Sequence, residues 1–259
     1  MQRRPALIAL AIVLLLAVGG GAAAWALVLR GDNVAPLSLP STAPGAGSSS
    51  GPGASSGATG AGSSTASSLP PASAGTIDAA SLPGTWTIAP DSVVGYRVRE
   101  RLASLSADSD AVGRTSSITG TATIAGSGSA LTLSAASFTV DMTTLQSDRQ
   151  MRDNRLRNDG IQTDQFTTST FVITQPISLP ATATSGQFDV TLHGDLTLHG
   201  VTKTVDIPAK AQLNGSVIQV LGSLEFPFSD YSINAPNIGG FVAVEDHGTL
   251  EFLVNLAKV

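Results

Sequence analysis

Few residues in this 259-residue chain are suited to chemistry: it holds three histidines and no cysteine. Any metal centre or acid–base pair must therefore be assembled from His193, His199 or His247 and nearby carboxylates. In "HGDLTLHGVTKTVDIPAK", residues 193–210, His193 and His199 stand six residues apart with Asp195 between them. That spacing lacks the further His, Cys or paired carboxylate of a ligand cluster, so no metal is expected. Asp195 and His199 could join a serine from elsewhere in a Ser–His–Asp arrangement, a proximity that one sequence does not specify. G-x-S-x-G occurs only in the Ser/Gly-rich stretch, at 47–51 and 53–57, without the preceding strand of a nucleophile elbow; no H-E-x-x-H pair or glycine-rich phosphate loop occurs, and apart from Glu245–Asp246 the carboxylates stand singly. The expectation is a binding protein, not an enzyme, with no cofactor. His199 precedes Gly200 and His247 precedes Gly248, which predicts turn residues that satisfy backbone groups. The functional alternative for His199 is contact with the polar head of a ligand or with a metal.

The elements that would position such residues are strands. Leu196 and Leu198 alternate with Thr197 and His199, and Val201, Val205 and Ile207 resume the pattern after Gly200, which reads as a hairpin. Further segments of period two run over 86–88, 93–101, 117–124, 131–142, 170–173, 188–198, 201–213, 217–228 and 249–256, separated by Gly, Pro, Asn and Asp. Many short strands without βα alternation predict an all-β antiparallel barrel or sandwich. Val94, Tyr96 and Val98 share one face of their strand, with Arg97, Arg99 and Arg101 on the other. The arginine face is expected to be a solvated outer wall; contact with lipid phosphates is its alternative. Phe188, Val190, Leu192, Leu196 and Leu198 form a wholly apolar inner face. It could be a packed core or the lining of a cavity. One segment, Ser147 to Arg157, lacks alternation and predicts a short helix with Ser147 or Asp148 as N-cap. Its Arg149, Arg152 and Arg155 form a stripe expected to be solvated, with Asp148 and Asp153 as partners.

The chain divides by composition into three parts. Residues 1–30 hold Arg3 and Arg4 followed by an uncharged apolar run from Ala6 to Leu29, long enough to span a ~30 Å hydrocarbon core. This predicts a single-pass transmembrane anchor with the remainder outside the cytoplasm. A secreted product, cleaved near Ala22–Ala24, is the alternative. Residues 31–81, rich in Ser, Gly, Ala and Pro, predict a disordered tether with a reach of ~40 Å. Residues 82–259 form the globular domain. From Leu82 onward 11 Lys and Arg face 17 Asp and Glu, so the basic footprint of a nucleic-acid binder is missing.

The hairpin "GDLTLHGVTKTV", Gly194 to Val205, closely resembles the strand-turn-strand signature of the YceI-like family of lipid-binding domains. "WTIAPDSVVGYRV" (Trp86 to Val98), "RDNRLRND" (Arg152 to Asp159), "STFVIT" (Ser169 to Thr174) and "VEDHGTLEFLVNL" (Val244 to Leu256) resemble other family segments in the same order. The resemblance implies an extended lipocalin-like barrel with one short helix, whose lumen holds an isoprenoid-type chain, a quinone tail or a polyprenyl phosphate. It implies no catalytic residue. The candidate lumen residues are Val94, Tyr96, Val98, Phe138, Phe166, Phe171, Phe188, Leu196, Leu198 and Phe226. A structural or stress-related scaffold with a filled lumen is the alternative. Where the family carries a helix histidine, two phenylalanines and a Tyr-Pro, this chain has Arg155, Ile161, Gln162, Phe166 and Thr167. Thr204 also replaces a proline. A less aromatic lumen mouth follows from these departures.

Overall fold

The computed structural model describes residues 34–40, 79–102, 108–128, 130–235 and 242–259. The expected anchor and most of the expected tether lie outside the described residues. Among the described residues no helix is long and apolar enough to cross a membrane.

The first half of the barrel comprises β1 (Gly84–Ile88), β2 (Val93–Leu102), β3 (Asp108–Thr115), β4 (Ile118–Ser127), β5 (Ala130–Asp141), β6 (Gln146–Ser147) and helix α1 (Gln150–Asn158). The second comprises β7 (Thr168–Ile173), β8 (Ile177–Ser178), β9 (Phe188–Leu198), β10 (Val201–Asn214), β11 (Val217–Pro227), β12 (Val242–Val244) and β13 (His247–Lys258). β2 pairs with β3 and β1 with β4, so β1/β2 and β3/β4 act as two long strands, each bent once. Asp91, at φ +63, marks the first bend. The ring then runs through β5, β7, β9, β10, β11 and β13. It closes because β13 pairs with β1 at Trp86↔Lys258 and with β2 at Tyr96↔Leu250. The result is an eight-stranded antiparallel barrel, and closure leaves its main strands paired on both sides.

Two expectations require correction. Helix α1 starts later than expected, with Arg149 at its N-cap and no side-chain cap. Ser147 instead ends β6, and both its backbone N–H (2.9 Å) and its hydroxyl (2.6 Å) donate to Asp153 Oδ1. That contact buries Asp153 and takes it away from the arginine stripe. Strand β3, "DSDAVGRT", was not expected, because it lacks apolar alternation; its pairing to β2 is reinforced by Arg97–Asp110 (3.1 Å) and Arg99–Asp110 (3.4 Å).

The apolar interior gathers into two clusters. One contains Leu82, Trp86, Ile124, Leu131, Ile173 and Leu256. The other contains Met142, Leu145, Leu196, Leu198, Tyr231 and Ile233.

Candidate functional site

Burial along β9 shows where the barrel is filled and where it is hollow. Its inward side chains are Phe188, Val190, Leu192, Leu196 and Leu198, as alternation requires. Leu196 and Leu198 are buried, but Phe188, Val190 and Leu192 are only half-buried although they face inward. The inward Leu250, Phe252 and Val254 of β13 are half-buried too, while Leu256 is buried. Inward residues of a closed barrel can be exposed only to an internal space. That space is an apolar cavity. The alternatives of packed core and open lumen are thus both realised, at different depths.

Among the described residues, no charged one lines this cavity. Of its inward polar groups, the Ser169 hydroxyl donates to the Thr197 carbonyl (2.8 Å) and the Trp86 indole N–H to the Leu82 carbonyl (3.0 Å); Thr170 and Gln212 border the cavity, but strand parity turns their side chains outward. An apolar cavity without free polar groups does not hold ordered water and admits apolar guests. Two glycines keep the bore open. A Cβ at Gly194 would lie 2.7 Å from the Phe171 ring, and one at Gly222 would lie 2.4 Å from the ring of Phe252. The missing side chains let both rings lie down along the wall.

A second cavity opens beside α1. Its walls include Tyr96, Val98, Phe226, Phe228 and Ile233, and its rim carries Glu100, Arg149, Arg152 and Arg155. The cluster around Leu196 and Tyr231 supplies wall residues to both cavities, Leu196 to the first and Ile233 to the second, and so stands between them. The arginine stripe is therefore not simply solvated. Arg152 binds Glu100 (3.1 Å) and also Asp148, and its side chain is 14 % exposed. Burial acts against its charge, but the Glu100 contact outweighs this and raises its pKa. The Tyr96 and Tyr231 hydroxyls are buried and find no hydrogen-bond partner among the described residues. Burial pushes the Tyr96 phenol well above its ordinary value, against the pull of Arg152, and pushes Tyr231 to about 12. Both remain neutral donors near pH 7.

The structure places Val94, Phe138, Phe171, Phe188 and Leu196 on the first cavity, and Tyr96, Val98 and Phe226 on the second. Leu198 packs within the cluster between them. Phe166 lies at neither cavity; its ring packs 4.2 Å from that of His199. Phe252, Leu250 and Val220 line the first cavity without having been singled out. Their strands do alternate, which was the signal available.

His199 is the turn residue expected. With Gly200 it forms the two-residue turn of the β9–β10 hairpin, at φ +51 and +74, the positive pair of a type I′ turn. Its Nδ1–H donates to the Tyr231 carbonyl (2.9 Å), and Nε2 faces the Gln162 side-chain amide (2.9 Å). Asp195 accepts from the Thr204 hydroxyl (2.6 Å), so these two candidates for a catalytic arrangement are engaged separately. His247 differs from expectation, as the first residue of β13, beside Asp246 and Glu245. Gly200→Val should destabilise more than His199→Ala. A Cβ at Gly200 meets Phe166 at 2.7 Å in a positive-φ backbone, a strain of ~1–3 kcal/mol, whereas the histidine loses hydrogen bonds worth ~0.5–1.5 kcal/mol each. Thermal melts of the two variants check the order.

Comparison with known proteins supports the same architecture. Curated relatives include UPF0312 proteins of Vibrio parahaemolyticus and Vibrio vulnificus, each 31% identical over 115 residues, 42% of this chain. The chain spans 58% of the length of these relatives. A solved polyisoprenoid binding domain from Saccharophagus degradans, implicated in plant cell wall breakdown, superposes with a TM-score of 0.51 at 17% identity. That match covers 68% of this chain and 99% of the other, and shows a shared fold. Residues 86–256, more than half of the chain, match the family model of the YceI-like domain, and the chain belongs to that family.

Proposed function

We propose that the protein binds an isoprenoid-type apolar lipid, with the chain in the first cavity. The observation that carries this reading is a hollow, uncharged lumen between two packed clusters. Each buried methylene contributes ~0.8 kcal/mol, so a dozen would offset the costs of association. The inward Ser169 and Trp86 groups are engaged by backbone carbonyls, so recognition there rests on length and cross-section. The Saccharophagus domain, described as binding polyisoprenoids, supports the ligand class. The N-terminal apolar run supports a single-pass location with the barrel outside the cytoplasm, as carrier or reservoir.

The test is organic extraction and mass spectrometry of the purified full-length protein. A near-stoichiometric prenyl lipid is the expected result. A protein free of lipid that also fails to take up a prenyl quinone or a prenyl phosphate from micelles would leave the barrel a scaffold.

A further inference from the structure

Within the stretch expected to be a tether, residues 34–40, "VAPLSLP", run as neither helix nor strand along the outer wall of the barrel. Three side chains of the wall hold its backbone. Arg97 Nη2 donates to the Val34 carbonyl (2.9 Å), Arg114 Nη2 to the Ala35 carbonyl (2.8 Å) and Gln212 Nε2 to the Pro40 carbonyl (3.0 Å). Pro36 and Leu37 form one side of a cleft completed by Thr191, Pro208, Leu221 and Ser223. Val34, Leu37 and Leu39 are half-buried, and the residues between them are exposed.

The wall beneath is unusual for an outer face. Strand parity sends Glu251, Gln212, Gln219 and Asn255 outward, since their neighbours Phe252, Ala211, Ile218 and Val254 line the lumen. These outward groups are nevertheless only 5, 3, 7 and 6 % exposed, respectively. Polar groups removed from water require partners, and here the partners form two networks. Glu251 binds Arg97 (3.5 Å) and Arg114 (2.7 Å), which continue to Val34 and Ala35. Gln219 Nε2 donates to Asn255 Oδ1 (3.1 Å), and Gln212 Nε2 to Gln219 Oε1 (3.0 Å) and Pro40. Both networks end on carbonyls of the same seven-residue segment. Arg97, expected to be solvated, is held by them at 16 % exposure.

We propose that this wall is a peptide-binding groove for an extended, proline-containing apolar segment, and that its occupant is the chain's own residues 34–40. The chemistry of groove and segment match. Donors of the wall read backbone carbonyls, the one polar handle that a proline keeps. Pro36 and Pro40 hold Ala35 and Leu39 in extended conformations, which lowers the entropy lost on docking. A connection of the length and Ser/Gly composition of residues 41–78 sets a local concentration of order mM, so a groove of modest affinity stays filled. This inference does not depend on what the lumen holds.

The chain has no cysteine, so Ser38→Cys, at an exposed position, takes a single nitroxide label. In the full-length protein in detergent micelles, the amide signals of Thr191, Leu221 and Ser223 should lose at least half their intensity. Those of Thr121 and Ser137, on β4 and β5 across the ring from β10 and β11, should keep theirs. Adding Leu37→Asp and Leu39→Asp should restore the lost signals, with the dispersion of the other barrel amides showing that the fold is intact. No loss, or a loss spread evenly over all faces, would overturn the proposal. So would a loss seen only between spin-labelled and isotope-labelled copies in a mixture, since the occupant would then be a second chain.

Discussion

Val220→Trp should cut the lipid that co-purifies with the protein at least tenfold while lowering the melting temperature by no more than about 2 °C. Val220 is half-buried on the inward face of β11 and lines the first cavity, so the added ring enters empty space. A tenfold loss corresponds to ~1.4 kcal/mol, less than the burial of two methylenes that the ring would displace. In a filled barrel the same ring would have no room. Overpacking would then cost ~1–3 kcal/mol, several degrees in a domain of this size. Measuring extracted lipid and thermal melt on one preparation separates the cases. Unchanged lipid in a stable variant would show that the ligand does not occupy this cavity.

The second large effect concerns stability. Glu251→Ala should destabilise the barrel by ~3–5 kcal/mol, because it leaves the guanidinium groups of Arg97 and Arg114 without their shared buried carboxylate. At ~2–4 °C per kcal/mol, the melting temperature should fall by roughly 6–20 °C. Glu251→Gln keeps the shape and one acceptor and should fall between parent and alanine variant. Restoring stability by adding Arg114→Met to Glu251→Ala would identify the uncompensated charge as the cause. A fall of less than 2 °C in the alanine variant would mean that the carboxylate is far better hydrated than its 5 % exposure indicates.

Much of the barrel was legible because alternation reports which face a residue takes. β9 and β10 were read almost residue for residue, and the His199–Gly200 turn followed from where their alternation breaks. Depth is a different property. Leu192 and Leu196 look alike in sequence, yet one is half-exposed to the hollow and the other is buried, because filling depends on what the other strands bring to the same level. Strand β3 escaped notice since its partners hold it by charge, through Asp110, instead of by an apolar stripe. The outward Glu251 reads as a surface carboxylate for the same reason: its partners Arg97 and Arg114 lie 154 and 137 positions away. Averaged over fifty residues of Ser and Gly, "VAPLSLP" disappears, although four apolar residues and two prolines in seven set it apart.

That docked segment has a consequence for where the barrel sits. Only Gly31, Asp32 and Asn33 separate Arg30, the end of the apolar run, from Val34. If the run occupies a bilayer, a docked segment leaves a lead of three residues, at most about 10 Å, in place of roughly fifty residues and ~40 Å. The height available above the lipid surface shrinks about fourfold, and the volume swept by the barrel falls by more than an order of magnitude. With the run in a bilayer, docking would hold the barrel near the lipid surface, and undocking would let it range farther. One short peptide would thus set two working altitudes for the same lumen.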